Sequence, residues 1–393
     1  MLGTVVSAIA TQAVGGGTVG GIVKGGTGDD VYYIRNANLR ITDVAGAADL
    51  IFTTVSTRIS AGIEGLFADA QNGAQLTGSA RNDTVVGNLG NDTIFGGNGN
   101  DTLNGGGGED LAYGGRGDDL LTLIDLLDQE ESQLFGGDGN DEFRWQGGLG
   151  TMTGGAGVDL FSYSSAVGGL AIDVDLTAGT ASSINTGTLQ IKQTVTLSQI
   201  EDARGTQLND TLDGSNGVNQ LEGLNGNDSL SGLGANDTLF GGEGNDTLSG
   251  GANQDQLFGG NNDDVLNGED SSDTIAGDDG RDTMTGGAGV DSFVFASVSH
   301  SAVATPDLVT DFAPAQDTID LGLIDADPAL ANDQGSAFIG TGAFVGTSAQ
   351  VRYFQDAGLG LTIVQVQLEG GSTPSMEIAL TGLLTLNGAN FFL

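Results

Sequence analysis

Between residues 205 and 294, an apolar side chain returns at every ninth position. These ninety residues divide into ten units of nine, with the apolar residue at the eighth position of each unit. Residues 241–249 show the pattern most clearly, as G-G-x-G-x-D-x-U-x with U apolar. A fixed period of this kind predicts a repeat architecture. The ten apolar positions are Leu212, Leu221, Leu230, Leu239, Leu248, Leu257, Leu266, Ile275, Met284 and Phe293.

The polarity within one unit predicts a short strand and a turn. The last three residues form the strand, because the apolar residue then faces inward between two outward neighbours. The first six form the turn, where glycine allows positive φ and leaves backbone carbonyls open to approach. Two units complete one coil, so units eighteen residues apart are expected to stack. The pattern predicts an all-β fold, a right-handed parallel β-roll or β-helix solenoid. A flexible linker rich in Gly, Asn and Asp would have no reason to keep the apolar period.

The sixth position is acidic in nine of the ten units, and Asn219 is the exception. Stacked strands lie about 4.8 Å apart, so stacked aspartates repel each other unless a cation lies between them. Carboxylate and carbonyl oxygens, with no His or Cys nearby, favour a hard cation. Ca²⁺ accepts roughly six to eight oxygen ligands in irregular geometry, and it fits better than Mg²⁺. The nine acids are Asp210, Asp228, Asp237, Asp246, Asp255, Asp264, Asp273, Asp282 and Asp291.

The same unit occurs earlier in the chain. Residues 78–122 hold five more units, a lone unit stands at 25–33, and single units begin at Gly136 and Gly154. The sequence predicts Ca²⁺ ligands at the sixth-position acids of all these units and at turn glycines with open carbonyls. Besides the nine aspartates above, the predicted ligands are Asp30, Asp83, Asp92, Asp101, Asp110, Asp119, Asp141, Asp159, Gly97, Gly99, Gly115, Gly117, Gly242 and Gly244.

This nonapeptide resembles the RTX, or hemolysin-type, calcium-binding repeat. Strand-like interludes at 31–77 and 157–212 resemble the segments that separate arrays in that family. The tail resembles the C-terminal region of serralysin-type proteins, through Asp-Leu-Val-Thr-Asp-Phe at 307–312 and Asp-Thr-Ile-Asp-Leu at 317–321. The resemblance implies that the tail caps the solenoid and carries an uncleaved signal for the type I secretion machinery. It therefore implies an extracellular protein exported from a Gram-negative cell.

The tail departs from the family pattern at two places. Gln365 and Gln367 stand where the family usually has an Asp-rich loop, and the chain ends in Asn-Phe-Phe-Leu where the family often has an acid before its apolar end.

The registers divide the chain into five predicted regions. They are an N-terminal cap with the lone unit and a strand interlude at 1–77, a first β-roll array at 78–163, a strand interlude at 164–204, a second array at 205–294, and a serralysin-like cap with the secretion signal at 295–393.

Charge and composition narrow the class of partner. Lys and Arg total 11 against 52 Asp and Glu, a formal net charge of −41, which excludes nucleic acid because phosphate binding needs the opposite sign. The chain has no cysteine and so no disulfide, which means that an extracellular fold needs another stabilising link. Bound metal is the usual substitute. No apolar run reaches the length of a transmembrane helix. Residues 1–21 lack a basic start and a convincing cleavage site, so an N-terminal signal peptide is not expected.

Catalytic motifs are missing from the sequence. His300 is the single histidine, which makes an HExxH zinc helix impossible, and no G-x-S-x-G elbow occurs. We expect His300 on the surface, and Trp145, Phe143 and Tyr163 in packing roles. The predicted function is a secreted, non-enzymatic calcium-binding protein whose β-roll folds on extracellular Ca²⁺. Two alternatives remain: a Ca²⁺-dependent surface-layer or matrix protein that self-assembles or coats the cell surface, and the non-catalytic part of a larger protease, lipase or alginate epimerase.

Overall fold

The computed structural model describes twelve stretches of the chain. They are residues 22–23, 29–35, 40–41, 49–59, 62–69, 73–124, 131–164, 170–185, 190–324, 336–345, 348–368 and 373–393. The predictions for residues 1–21 and for the turn of the lone unit at 25–28 lie outside them. Within these stretches the chain forms strands and a single 3-10 turn at Gly388–Asn390. No helix in the described part is long and apolar enough to span a membrane.

Thirty-seven strands follow one another along the described chain. Up to residue 198 they are β1 (Ile22–Val23), β2 (Val31–Ile34), β3 (Arg40–Ile41), β4 (Leu50–Thr53), β5 (Thr57–Arg58), β6 (Gly65–Ala68), β7 (Gln75–Thr77), β8 (Thr84–Leu89), β9 (Thr93–Asn98), β10 (Thr102–Gly107), β11 (Leu111–Arg116), β12 (Leu120–Leu123), β13 (Glu131–Asp138), β14 (Glu142–Trp145), β15 (Leu149–Ala156), β16 (Leu160–Tyr163), β17 (Ala171–Asp175), β18 (Thr180–Asn185) and β19 (Gln190–Ser198). From residue 202 they are β20 (Asp202–Arg204), β21 (Thr211–Ser215), β22 (Gln220–Asn225), β23 (Ser229–Gly234), β24 (Thr238–Glu243), β25 (Thr247–Ala252), β26 (Gln256–Asn261), β27 (Val265–Asp270), β28 (Thr274–Asp279), β29 (Thr283–Ala288), β30 (Ser292–Val294), β31 (Asp307–Val309), β32 (Thr318–Asp320), β33 (Ala337–Phe338), β34 (Gln350–Asp356), β35 (Leu361–Gln367), β36 (Met376–Thr381) and β37 (Phe391–Phe392).

The chain forms two compact units. Unit 1 comprises Met1–Leu170 and Ala178–Asp202, and unit 2 comprises Ala171–Thr177 and Ala203–Leu393. The five-region division read from the sequence stays a prediction.

Unit 1 contains two parallel sheets, and successive strands alternate between them. One sheet has the order β2-β4-β6-β8-β10-β12-β14-β16. The other has the order β5-β7-β9-β11-β13-β15-β19, with β18 added antiparallel to β19. A separate parallel pair joins β1 and β3. The described interlude between the lone unit and the first array is therefore strand-like, as the sequence predicted.

The strands of unit 2 repeat this arrangement. One row of strands has the order β20-β22-β24-β26-β28-β30-β32-β37. The other has the order β17-β21-β23-β25-β27-β29-β31-β36. Beyond β36 the sheet turns antiparallel through β35 and β34, and β33 pairs parallel with β34. The tail thus adds strands to the last turns of the roll, which confirms the predicted β-rich cap.

The stacking interval is the predicted eighteen residues. Leu230 pairs with Leu248, and Leu248 pairs with Leu266. The sequence pattern fixes this register, because a slip of one residue would turn every apolar side chain to the solvent face.

The strands are longer than the sequence predicted. A three-residue strand was expected at positions seven to nine, but β25 continues through positions one to three of the next unit. Its pairing with β23 resumes at Leu233 with Gly251 and Gly234 with Ala252. The prediction was wrong because Gly251 and Ala252 still pair with the neighbouring strand, although Gly251 has a positive φ of 107°. Only positions four to six are left for the bend.

The apolar stripe of each unit is buried between its two sheets. All ten eighth-position side chains of unit 2 are at most 1% exposed. Burying a leucine or phenylalanine side chain stabilises a fold by about 1.5–3 kcal/mol, so the stripe is the main apolar contribution of the repeats. In unit 1, Trp145 and Phe143 are fully buried, and Trp145 lies edge-on to Tyr163 with ring centroids 5.3 Å apart. The predicted packing role of these aromatic residues is confirmed.

We expect Leu248→Ala to lower the free energy of unfolding by about 2–5 kcal/mol, because it leaves a cavity between Leu230 and Leu266. The matched control is Val265→Ala, whose side chain is 48% exposed, and its cost should stay below about 1 kcal/mol. Urea unfolding in saturating Ca²⁺, followed by circular dichroism, measures both. Equal unfolding midpoints for the two variants would contradict the buried position of Leu248.

Candidate metal centre

Every predicted aspartate ligand lies in the interior of its turn. The seventeen carboxylates are at most 6% exposed, although aspartate is almost never buried without a partner. Apart from Asp30, whose turn lies outside the described residues, each one follows the bend and precedes the strand, so the backbone places its side chain under the glycine turn of the same unit. Two ladders of such aspartates run along the edges of unit 2, and two more run along unit 1.

One hydrogen bond per turn connects the rungs of a ladder. The Asp246 N–H donates to Asp264 Oδ1 at 2.7 Å, and the Asp228 N–H donates to Asp246 Oδ1 at 2.8 Å. The Asp246 carbonyl accepts from the Val265 N–H at 2.9 Å. Contrary to the sequence argument, the stacked carboxylates do not simply face one another, because one oxygen of each accepts a backbone N–H from the preceding turn.

Unit 2 has two such ladders with the same direction. One runs through Asp210, Asp228, Asp246, Asp264, Asp282 and Asp307. The other runs through Asn219, Asp237, Asp255, Asp273, Asp291 and Asp317. The eighteen-residue interval read from the sequence therefore brings the predicted aspartates together in the two rows that were expected.

The ladders of unit 1 contain two residues that the sequence reading missed. One ladder runs through Asp83, Asp101, Asp119, Asp141 and Asp159, and the Asp159 N–H then donates to Glu201 Oε2 at 3.0 Å. The other runs from Asp92 to Asp110, whose N–H donates to Ser132 Oγ at 3.0 Å. Asp119 and Asp141 are 22 residues apart, so the insertion after the first array leaves the ladder intact.

Four more rungs, Asp49, Glu64, Asp307 and Asp317, lie outside the nonapeptide arrays. The Asp30 N–H donates to Asp49 Oδ1 at 2.7 Å, and the Asp49 N–H donates to Glu64 Oε2 at 2.9 Å, so the lone unit also has stacked partners. Each of the three aspartates begins an Asp-x-apolar tripeptide, as in Asp49-Leu50-Ile51. That tripeptide is the sequence signal that could have found them, because it persists where the glycine turn is lost.

The second carboxylate oxygen is buried without a partner in most rungs. For Asp246 and Asp264, Oδ2 is enclosed and accepts no hydrogen bond. A buried carboxylate oxygen without a donor or cation is costly, so the fold provides a place for a positive charge at each such rung. Among the predicted ligands, this unpartnered Oδ2 belongs to Asp92, Asp101, Asp119, Asp141, Asp159, Asp228, Asp237, Asp246, Asp255, Asp264, Asp273 and Asp282.

The first glycine of the unit lines the space around this oxygen. A Cβ added to Gly241 would lie 2.4 Å from Asp246 Oδ2 and 2.5 Å from the Gly259 carbonyl oxygen of the next turn. Glycine is required here because any side chain would fill the space between these two oxygens. The sequence reading did not select this position as a ligand, although the first-position carbonyl of the next turn borders the same space as the carboxylate.

The six glycines predicted as ligands all have positive φ. Gly242 and Gly244 have φ of 114° and 124°, and Gly97, Gly99, Gly115 and Gly117 lie between 108° and 125°. A Cβ on Gly244 would lie 1.6 Å from the Gly226 carbonyl oxygen. These positions are glycine because the turn needs a left-handed backbone and close stacking.

The donor set fits a hard cation. Within the described ranges, no group of three or more His, Cys, Asp and Glu side chains is placed to hold one metal ion. Each turn with an unpartnered Oδ2 instead offers one carboxylate oxygen among backbone carbonyls, which is an all-oxygen set suited to Ca²⁺. His300 is less exposed than expected, with a side chain 16% accessible and Nδ1 3.3 Å from Asp278 Oδ1.

Burial raises the pKa of these carboxyls, because a charged group loses its hydration in the interior. For Asp264 burial is the largest cause, the N–H of Asp246 opposes it, and the nearby carboxylates of Asp282 and Asp246 add to the rise, so its pKa is about 8. The pKa of Asp101, Asp228, Asp237, Asp273 and Asp282 is raised to about 7. A proton or a cation must therefore accompany this fold near neutral pH.

Comparison with known proteins agrees with this geometry. A family described as the RTX calcium-binding nonapeptide repeat matches residues 77–112 and 96–122. A second, the peptidase M10 serralysin C-terminal family, matches residues 192–392, just over half of the 393-residue chain. The chain belongs to the serralysin C-terminal family, and it carries RTX calcium-binding nonapeptide repeats. RTX proteins of this type bind calcium and are secreted by type I export.

Two solved structures resemble this RTX protein in part. The AlgE6R3 subunit of the Azotobacter vinelandii mannuronan C5-epimerase is 24% identical with a TM-score of 0.23, and the match covers 48% of this chain and 80% of that one. The extracellular lipase LipA from Serratia marcescens is 15% identical with a TM-score of 0.20, and the match covers 88% of this chain and 45% of the lipase. TM-scores this low carry no argument about function. No curated protein matches the chain.

Acid should stabilise the metal-free roll. These carboxyls have a pKa near 7 or 8 in the folded chain and about 4 in the unfolded chain, so at neutral pH the folded chain binds more protons than the unfolded chain. The metal-free fold is therefore most stable at low pH, and this stability is lost as pH rises through the folded pKa. In a chelator, we expect more strand signal by circular dichroism at about pH 5.5 than at about pH 8.

Acid would also stabilise the metal-free roll by weakening the general repulsion among its negative charges. The Asp264→Asn variant separates this cause from protonation of the buried carboxyl. This variant should gain metal-free stability at about pH 8 and show a weaker pH dependence than wild type. Light scattering checks that acid does not aggregate the chain. Strand signal that falls on acidification would contradict the raised pKa values.

Filling the space beside Asp246 should weaken Ca²⁺ binding. Gly241→Ala is expected to raise the Ca²⁺ midpoint of folding about tenfold, because its methyl group lies between Asp246 Oδ2 and the Gly259 carbonyl. The control is Gly217→Ala, whose Cβ meets only Ser215 Oγ at 3.4 Å. Calcium titrations of both variants by circular dichroism measure the effect, and equal midpoints would place the cation elsewhere.

Proposed function

We propose that Ca²⁺ controls the folding of this secreted RTX protein, through the unpartnered Oδ2 atoms of its aspartate ladders. The observation that carries the proposal is the repeated burial of a carboxylate oxygen without a donor, one turn after another. Ca²⁺ supplies the missing positive charge when it binds, and the residues of the chain orient the oxygen ligands. The first oxygen is held by a backbone N–H, which orients the second oxygen in the folded turn.

The proposed ligands follow from the contacts of each turn. Oδ2 of the unpartnered aspartates supplies the charge, the first-position glycine carbonyl of the next turn borders the same space, and the carbonyls of the left-handed glycines complete an oxygen set. Under this assignment Gly97, Gly99, Gly115, Gly117, Gly242 and Gly244 act through their carbonyl groups. The glycine turn also excludes side chains from the space, as at Gly241.

Calcium-dependent folding suits a secreted protein. Where Ca²⁺ is scarce, the buried carboxylates oppose folding, and the chain stays unfolded and exportable. Sites with a Kd of about 10⁻⁴–10⁻³ M, as in other extracellular modules, would be occupied at extracellular Ca²⁺ concentrations. Because the site exists only in the folded chain, binding free energy becomes folding free energy. We propose that the serralysin-type tail presents the type I export signal and that its strands cap the roll.

We propose that this chain is not itself an enzyme. Its carboxylates are arranged to share cations, which would keep them ionised rather than ready to exchange protons. The second candidate function is the non-catalytic portion of a longer secreted enzyme. One observation favours it, since the matching C-terminal family takes its name from a peptidase.

Calcium titration tests the proposal directly. We expect a largely unfolded chain in a chelator at about pH 8 and a cooperative gain of strand signal at millimolar Ca²⁺, with much less at equal Mg²⁺. Asp246→Ala should raise the Ca²⁺ midpoint more than Asp30→Ala, because Asp246 has a rung on either side and interior losses propagate in repeat folds. Strand signal that is unchanged by the chelator would overturn the proposal, and equal midpoints would contradict the stacking.

A further inference from the structure

Three turns close on themselves through a Ser or Thr at the second position. The Thr206 N–H donates to Asp210 Oδ2 at 2.5 Å, and the Ser215 N–H donates to Asn219 Oδ1 at 2.7 Å. In unit 1 the Ser79 N–H donates to Asp83 Oδ2 at 2.6 Å. In the two closed turns of unit 2, the oxygen that would otherwise face a cation accepts a backbone N–H from within its own unit. Asp83 of unit 1 differs, because its Oδ1 stays buried without a partner.

The hydroxyl group of the second residue stabilises the closed form. Thr206 Oγ1 accepts the Leu208 N–H at 3.1 Å, and Ser215 Oγ accepts the Gly217 N–H at 3.0 Å. Ser79 Oγ likewise accepts the Arg81 N–H at 3.2 Å. The donor is always the residue two positions on, so the motif Gly-[Ser/Thr]-x-x-x-[Asp/Asn] has one local geometry in all three turns.

The open turns differ at the second position. There the backbone is left-handed, even where the residue is not glycine: Leu224 and Leu233 have φ of 80° and 73°. A left-handed leucine is strained, so something in the turn must favour that conformation. The turns of Leu224 and Leu233 contain Asp228 and Asp237, whose Oδ2 atoms are unpartnered. In the closed turns of unit 2, by contrast, the backbone at Thr206 and Ser215 is not left-handed.

We propose that the second residue of each unit decides whether its turn takes a cation, and that the closed turns at Asp210 and Asn219 take none. This inference rests on the proposed function. Both ladders of unit 2 therefore begin with a hydrogen-bonded turn, and their cation sites start one turn later, at Asp228 and Asp237. The proposal also explains why Asn219 is the one neutral sixth-position residue among the ten units, since a closed turn needs an acceptor and no charge.

The test counts bound Ca²⁺ per chain by equilibrium dialysis with radioactive calcium. Asp210→Asn should keep the wild-type number of ions, although its amide nitrogen would face a backbone N–H and weaken folding. Asp246→Asn should lose at least one ion, although its amide nitrogen replaces only the unpartnered Oδ2. Asn219→Asp should gain none. Circular dichroism at saturating Ca²⁺ confirms that each variant is folded, and Asp255→Asn replaces Asp246→Asn if the latter is not.

The outcomes separate this inference from the proposed function. A wild-type chain that binds no Ca²⁺ overturns both. If wild type binds Ca²⁺ and Asp210→Asn loses as many ions as Asp246→Asn, or if Asn219→Asp gains one, only the inference is overturned. Retention of all ions by both Asp210→Asn and Asp246→Asn also overturns it, because the open turns would then be no different from the closed ones.

Discussion

The hydrogen bond from one buried aspartate N–H to the next carboxylate is the constraint on which both units depend. It fixes one oxygen of each side chain and leaves the other in the interior, as at Asp246, whose Oδ1 accepts the Asp228 N–H. A neutral acceptor could make the same bond at lower cost, and Ser132 does so at one rung. The repeated use of carboxylates therefore introduces a buried charge that the protein alone does not neutralise in the open turns. Other features of the repeat make room for that charge or hold it in place.

The glycines and the apolar stripe have separate parts in this arrangement. Gly241 leaves the space beside the carboxylate, and Gly242 and Gly244 let the backbone turn over it. Leu248, two residues after Asp246, anchors the strand in the core and so fixes where the carboxylate points. A second row of side-chain acceptors reinforces the bends from outside, as the Asn245 N–H donates to Asn227 Oδ1 at 3.0 Å. That row runs in the opposite direction to the aspartate ladder.

The sequence predicted the stacking well because period and burial act together. An apolar residue at every ninth position can be buried in only one register, and this register also places Asp228 beneath Asp246. The length of the strands was not predictable from the same pattern, since glycine indicates a turn even where it still pairs with the neighbouring strand. Nor could the pattern reveal that an N–H occupies one carboxylate oxygen, because backbone donors leave no trace in the sequence. Glu201 and Ser132 were missed for a different reason: they replace aspartate chemically after irregular segments.

Consecutive rungs of a ladder are always one step apart in the stack, although the number of residues between them varies. Consecutive rungs are 18 residues apart in the arrays, but 22 at Asp119, 25 at Asp282, 26 at Asp291 and 42 at Asp159. The additional residues are accommodated between one rung and the next, and the following aspartate or glutamate still accepts the ladder hydrogen bond. Evolution can therefore lengthen a surface loop on such a roll without rebuilding the scaffold. The same tolerance makes these junctions suitable points for grafting foreign peptides onto a calcium-responsive solenoid.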